Sequence, residues 1–299
     1  MTSHRPAGLL LTAAALAAAC GCYDAREVAP GTWAVLGRRG AANSLVVRSE
    51  FGALVVDAGA NLAAGEDLEA IAQKLTRKPV SYVVVTHPYG DRVFGCEAFL
   101  AAQIVAHENV RRELVDRWDE QVEFLDKTLG VPGAERVRRV LPNLTYSDRL
   151  TLHLGVKPEA PTAEVIHVGR AHTRSDSAVW LPGARVLFTG DLVLDGAVPY
   201  ARDADLAAWR AALVRLARLE PKVVVPGRGE PGGPERIAAM RVFLDDLAVL
   251  AKTDNTPERG SDLEQRLRGY RRWTGYREFF ETCLEAARRG TAPPGTARP

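Results

Sequence analysis

The chain reads as an α/β protein. Two observations predict that class: short β-rich runs alternate with stretches of helical spacing, and the second half of the sequence repeats the alternation of the first. Composition agrees. In 299 residues, 46% hydrophobic and 25% charged is the ordinary balance of a soluble globular chain long enough for one large domain. A formal net charge of +2 is too small to mark nucleic acid or an anionic membrane as the main partner.

Residues 1–22 stand apart. MTSHRP is followed by an unbroken apolar run from Ala7 to Ala19 and then Cys20. The run is shorter than the roughly 20 residues that span a bilayer, and it reads as a signal peptide. LAAAC is similar to a lipobox, with alanine where leucine is usual three places before the cysteine, which would make Cys20 a lipid anchor. The expectation is an exported protein, periplasmic or lipid-anchored, whose only tie to a membrane is Cys20. The alternative is a frayed apolar start on a cytosolic protein. Of four cysteines, Cys20 and Cys22 lie at this processing site. Cys96 and Cys283 remain as a possible pair, and without a CxxC a cysteine zinc ribbon is excluded.

Residues 23–256 form the expected main domain. TWAVLG, NSLVVRS and GALVVDAG read as strands of a meander separated by turn residues. Ala63 to Arg77 has helical spacing, with Leu68, Ile71, Ala72 and Leu75 on one face. VSYVVVTH is a buried strand, Glu108 to Leu129 a helix or helix pair, and Gly130 to Asn143 a connector. TAEVIHV, SAVWLP and RVLFTGD are strands, Asp203 to Leu219 a helix, KVVVPG a strand. Helices are expected from Glu235 to Lys252 and, packed on the domain within 257–290, from Asp262 to Arg289; 291–299 reads as a disordered tail.

Polar residues gather just past the ends of these strands. VVVTHPYGD supplies His87 and Asp91, VIHVGRAH supplies His172, VLFTGD supplies Asp191 and VVVPGRG supplies Arg228. Loops at strand ends display functional groups, and imidazoles with carboxylates suit zinc.

These motifs carry a resemblance. THPYGDRVFG resembles the HxHxDH signature of the metallo-β-lactamase superfamily, GRAHTRSD its second histidine motif, LFTGD its bridging-aspartate motif and VVPGRG its final PGHG motif; VVDAG matches the strand end before them. All five come in the family's order. The resemblance implies a four-layer αβ/βα sandwich and metal-dependent hydrolysis. Within the family, DRVFGCEAF, VAHENVRREL and GDLVLDGAVPY look most like exported members associated with sulfur oxidation or quinoprotein relay systems.

Carried over by position, the first metal site uses His87, Tyr89 and His172, and the second Asp91, Arg92 and Arg228, with Asp191 bridging. Three of these depart from the family's histidines. A guanidinium has no available lone pair and cannot ligate a cation, so Arg92 and Arg228 are expected to replace the second metal electrostatically, pairing with Asp91 and Asp191. One ion, zinc or another divalent metal, is expected on His87, His172 and Asp191, with Asp91 the further carboxylate at the metal. Asp91, Tyr89 and Arg228 are the candidate catalytic residues. Tyr89 either offers a phenolate or, in the preferred reading, fills the space of a lost histidine.

His107 reads as a capping or structural histidine, His153 and His167 as structural, and Asp57 and Asp176 as supports for the site's loops. Nothing marks Cys96 as an activated nucleophile. RLRGYRRWTGYREFF interleaves basic and aromatic residues, but its neighbouring glutamates favour an amphipathic capping helix over nucleic-acid binding. Two functions stay open: a hydrolase of an ester, thioester or lactam in some small molecule, and a non-catalytic accessory or binding protein that keeps the fold.

Overall fold

A computed structural model of the protein describes residues 23–252 and 261–291. The expected leader with Cys20 and Cys22, the stretch 253–260 and the tail from 292 lie outside the described residues.

Two sheets form the centre. The first is an antiparallel meander, β1 (Tyr23–Ala29), β2 (Thr32–Gly37), β3 (Ser44–Ser49) and β4 (Gly52–Val56), extended in parallel by β5 (Val80–Val84), β6 (Gln103–His107) and β7 (Leu144–Tyr146). The second has the order β12-β11-β10-β9-β8, from β8 (Arg149–His153), β9 (Thr162–Gly169), β10 (Asp176–Leu181), β11 (Val186–Phe188) and β12 (Val223–Val225). Only β11 and β12 pair in parallel there.

The helices are α1 (Leu62–Thr76), α2 (Gly90–Val93), α3 (Glu108–Glu123), α4 (Leu206–Ala217), α5 (Glu235–Leu250), α6 (Asp262–Tyr270) and α7 (Tyr276–Thr291). The central strands read as unbroken apolar runs because both of their faces are buried. Leu45, Val47, Leu54 and Val56 point into the space between the sheets, against Val165, Val179, Leu181 and Phe188. The alternate residues Val46, Val55 and Val83 point outward onto Leu68 and Ala72 of α1 and Val110 and Leu114 of α3. On the other side, Ala178, Trp180 and Leu187 meet Trp209, Leu213, Phe243 and Leu247 of α4 and α5. The result is the four-layer αβ/βα sandwich.

Two expectations change. The last helix is broken in two. Gly275 sits at φ +76°, and the turn before it is tied across to the 196–198 loop: Thr274 N donates to Gly196 O at 2.9 Å, and Val198 N to Thr274 O at 2.8 Å. Only glycine takes that backbone conformation without strain, so the break was written in the sequence. Cys96 and Cys283 are both unpaired, each buried in a different core cluster on opposite sides of the sandwich. The aromatic residues of the C-terminal stretch face inward: Tyr270 is in the core, and Trp273, Phe279 and Phe280 pack against it.

Candidate metal centre

Every residue of the centre comes from one edge of the sandwich, where strands end. β4 delivers Asp57, β5 delivers His87 and then α2 with Asp91 and Arg92, β9 delivers His172, β11 delivers Asp191, and β12 delivers Arg228. His87, His172 and Asp191 converge, each offering a ligand atom within 4.8 Å of the others, and all three are buried. Gly227 makes the convergence feasible, since a Cβ there would overlap Asp191 Oδ1.

Both imidazoles retain an orphan nitrogen. Thr86 Oγ1 donates to Asp57 Oδ2 at 2.9 Å and lies 2.9 Å from His87 Nδ1. A hydroxyl has one proton, so with Asp57 ionised His87 Nδ1 is the donor to Thr86 and Nε2 keeps its lone pair. That Nε2 is buried, has no hydrogen-bond partner and lies 3.9 Å from Asp191 Oδ2. His172 Nε2 sits 3.0 Å from the carbonyl of Tyr200, which can only accept, leaving its buried Nδ1 unpartnered. Burial pushes the His87 imidazole down to about 4 despite the nearby Asp191 carboxylate, so it is neutral at physiological pH. Two buried imidazole nitrogens without hydrogen-bond partners, beside a carboxylate, fit a divalent cation.

The arginines take the remaining carboxylates. Arg92 is fully buried; its Nη2 pairs with Asp191 Oδ1, its Nη1 lies 3.8 Å from Asp57 Oδ2 and its Nε 3.5 Å from Asp91 Oδ2. The guanidinium also donates to Gly227 O and Asn43 O at 3.2 Å. Burial alone would raise the Asp191 carboxyl, yet Arg92 and then Arg228 hold it well below the usual range. Arg228 Nη2 donates to Asp91 Oδ2 at 2.5 Å, and Nη1 to Gly40 O. Asp91 stands outside the His/His/Asp cluster, its Oδ2 facing two guanidiniums.

Tyr89 packs its ring beside the two histidines. Its ring meets the rings of His87 and His172 edge-on, with centroids 5.4 and 5.3 Å away, while its hydroxyl turns aside to donate to Asp203 Oδ2 at 3.4 Å. Burial, then Asp203, pushes the phenol well above its ordinary 10, which disfavours a phenolate. His107 caps α3 by accepting from Asn109 N at 3.1 Å and stacks on His167. Asp176 receives Thr173 N at 2.7 Å and lies 3.7 Å from His172 Nδ1.

Three contributors escaped the sequence reading. Asn43 donates to Pro226 O and Gly229 O, both at 2.9 Å, and so ties the loop of Arg228 to the first sheet. Thr86 orients His87. Asp203 gathers Tyr89, Arg117 and Arg174. Only Thr86 had a visible cue, its place beside His87.

A profile of the Metallo-beta-lactamase superfamily matches residues 37–228, more than half of the chain. The chain belongs to that superfamily. It is 26% identical over 200 residues to the metallo-beta-lactamase type 2 of Bacteroides fragilis, covering 65% of this chain and 72% of that one. It is 24% identical over 195 residues to the metallo-beta-lactamase type 2 of Bacillus cereus, covering 64% and 68%. The solved metallo-beta-lactamase from Pontibacter korlensis superposes with a TM-score of 0.62 at 22% identity, covering 75% of this chain and 99% of that one. That last likeness concerns the fold alone. In this superfamily member two guanidiniums, Arg92 and Arg228, hold Asp91 and one oxygen of Asp191 beside the His/His/Asp cluster.

Proposed function

We propose that the chain is a metal-dependent hydrolase of an ester, thioester or lactam, working with one divalent metal, zinc by preference, on His87, His172 and Asp191. The observation that carries this is the pair of buried, unpartnered imidazole nitrogens beside Asp191. When bound, the metal supplies Lewis acidity toward a carbonyl oxygen or a water. Thr86 and Asp57 keep the His87 lone pair on Nε2, Arg92 pins one oxygen of Asp191, and Tyr89 walls the centre with an inert ring. Asp91 orients the attacking water and collects its proton: among the described residues its Oδ1 has no hydrogen-bond partner, while Oδ2 is fixed by Arg228. The water oxygen bonds to the carbonyl carbon, the C–O, C–S or C–N bond breaks, and the proton passes to the leaving group.

One observation favours a second reading. Asp91 and Asp191 already have cationic partners, as an accessory or binding protein without turnover would allow. Assay of the purified chain against an ester, thioester and lactam panel, with zinc added to one equivalent, separates the two. Zinc-dependent turnover of any panel member supports the hydrolase; a folded, zinc-loaded chain inert to all of them supports the accessory protein.

The narrower likeness to exported sulfur-oxidation or quinoprotein-relay members rests on sequence motifs alone, and export rests on residues 1–22. We place the activity outside the cytoplasm on that leader. Mass spectrometry of the cellular protein should show the leader removed, with a diacylglyceryl mass on Cys20 if lipidated; an intact Met1 start refutes export.

A further inference from the structure

The small net charge conceals where the charge lies. β4, β5, β6, β9, β11 and β12 all end at the edge that bears the metal centre. The opposite end of the sandwich is therefore built from the turns that lead into them, 50–51, 77–79, 100–102, 154–161, 182–185 and 218–222, with the β1–β2 turn at 30–31. These turns hold six basic side chains, Arg77, Lys78, Lys157, Arg185, Arg218 and Lys222, against three acidic ones, Glu50, Glu159 and Glu220. Lys74, in the last turn of α1, adds a further cation. Two of the acids are already engaged: Glu220 pairs with Arg185, and the Glu50 carboxylate accepts from Val156 N at 3.2 Å. Arg77, Lys157, Arg218 and Lys222 are exposed and make no ion pair among the described residues.

Apolar tips stand among these cations. The three most exposed large apolar side chains among the described residues, Val156 at 72%, Leu100 at 62% and Phe51 at 52%, all lie in these turns. The turns of Phe51 and Val156 are joined, since Glu50 N donates to Leu154 O at 2.7 Å, and Lys78 closes the group by donating to Glu50 O at 2.6 Å. Exposed apolar tips ringed by lysine and arginine match a surface that offers negative headgroups above hydrocarbon. The tips enter the acyl boundary while the cations stay at the headgroups. We propose that this end of the sandwich docks on an anionic lipid bilayer, with the metal centre on the side facing solution. The docking needs neither turnover nor the leader. Cys20 lies three residues before Tyr23, which pairs with Gly37 at the metal edge, so a lipid on Cys20 would hold the opposite end.

The test is sedimentation of residues 23–299, which contain both sheets and every described helix, with vesicles of phosphatidylcholine alone or mixed equally with phosphatidylglycerol. Binding is expected on the mixed vesicles only, and should weaken as salt is raised, because exposed charges are screened. Lys157→Glu with Lys222→Glu should weaken it roughly twentyfold or more, since each cation at an anionic surface is worth about a fivefold change. Arg112→Glu with Lys127→Glu makes the same change of charge at exposed positions away from this end, and should leave binding nearly unchanged. Phe51→Ser with Val156→Ser should release the protein at unaltered charge. Circular dichroism shows that each variant is folded, and the charged and apolar pairs are read independently. No binding to mixed vesicles, or an equal loss in both charge-changed pairs, overturns the proposal. Binding indifferent to Phe51→Ser with Val156→Ser overturns it as well, and assigns the face to a soluble polyanion. Dimers that form without vesicles and dissolve in the Phe51→Ser, Val156→Ser pair would assign the face to a second copy of the chain and overturn it too.

Discussion

Arg92 Nη2 is bonded to Asp191 Oδ1 in the interior of the centre, between side chains that are 0% and 6% exposed. The contact spends one oxygen of Asp191 and leaves Oδ2 facing His87 Nε2 at 3.9 Å. One carboxylate is thus divided between a permanent cation and a site for a bound one. The division limits how many metals the centre can hold.

Metal content follows from it. Arg92 and Arg228 occupy Asp91 and half of Asp191, so purified protein saturated with zinc should carry one tight equivalent per chain by elemental analysis. His87→Ala should abolish that equivalent. Two tight equivalents, or undiminished zinc in the His87 variant, would refute the assignment.

Removing Arg92 should cost the fold heavily. Arg92→Met leaves Asp57, Asp91 and Asp191 without their shared buried cation, and breaking such a pair typically destabilises by about 3–5 kcal/mol. Denaturant midpoints of the metal-free proteins measure this. A loss no larger than that of a surface substitution would mean that the ion pair contributes little. Added zinc should recover part of the loss, because it restores positive charge to the centre.

Asp57 should make stability fall toward neutral pH. Burial, its largest influence, lifts this carboxyl from 3.8 to about 7 even though Arg92 opposes the shift. Between those values the folded chain binds more protons than the unfolded one, so the contribution of neutral Asp57 is complete below pH 3.8 and disappears as the pH rises through 7. His87 acts oppositely: lowered from 6.5 to about 4, it contributes fully above pH 6.5 and loses that contribution as the pH falls through 4. Asp57→Asn keeps the shape and removes only the first effect. The stability advantage of wild type over Asp57→Asn should therefore shrink from pH 4 to pH 8 in metal-free urea titrations; parallel profiles would contradict the buried neutral carboxyl.

Tyr89 separates filler from ligand. Since among the described residues its hydroxyl bonds to Asp203 alone, at 3.4 Å, Tyr89→Phe should leave zinc affinity unchanged and cost under about 1 kcal/mol. Its ring, however, sits edge-on to both histidines, so Tyr89→His combined with Arg228→His puts one imidazole at an expected first-site position and one at an expected second-site position, and frees Asp91. The double variant should take up a second zinc by elemental analysis. If it folds and binds no more metal than wild type, the proposed site geometry fails.

The amino-acid order determined the layers and the chemistry available to them. Apolar runs with both faces buried announced the central strands, 3.6-residue spacing announced α1, and His87, His172, Asp191 and Arg228 could be placed at strand ends, because these signals are local in the chain. It also determined that guanidiniums, which cannot ligate, stand at two expected ligand positions. Gly275, at the break in the last helix, lies inside a stretch whose amphipathic pattern reads as one helix. Strands such as β1, with its exposed residues, and three-residue β7 carry too little periodicity to be read. The pairing of the two arginines with Asp91 and Asp191 was expected as a set, but only tertiary structure decided which meets which: Arg92 with Asp191, 99 residues away, and Arg228 with Asp91, 137 away. It alone decided the Tyr89 hydroxyl with Asp203 and Cys96 apart from Cys283. The physical reason is that hydrogen bonds and ion pairs depend on ångström-scale distances between loops, set by how β5, β11 and β12 register in two sheets, and no local pattern encodes that register.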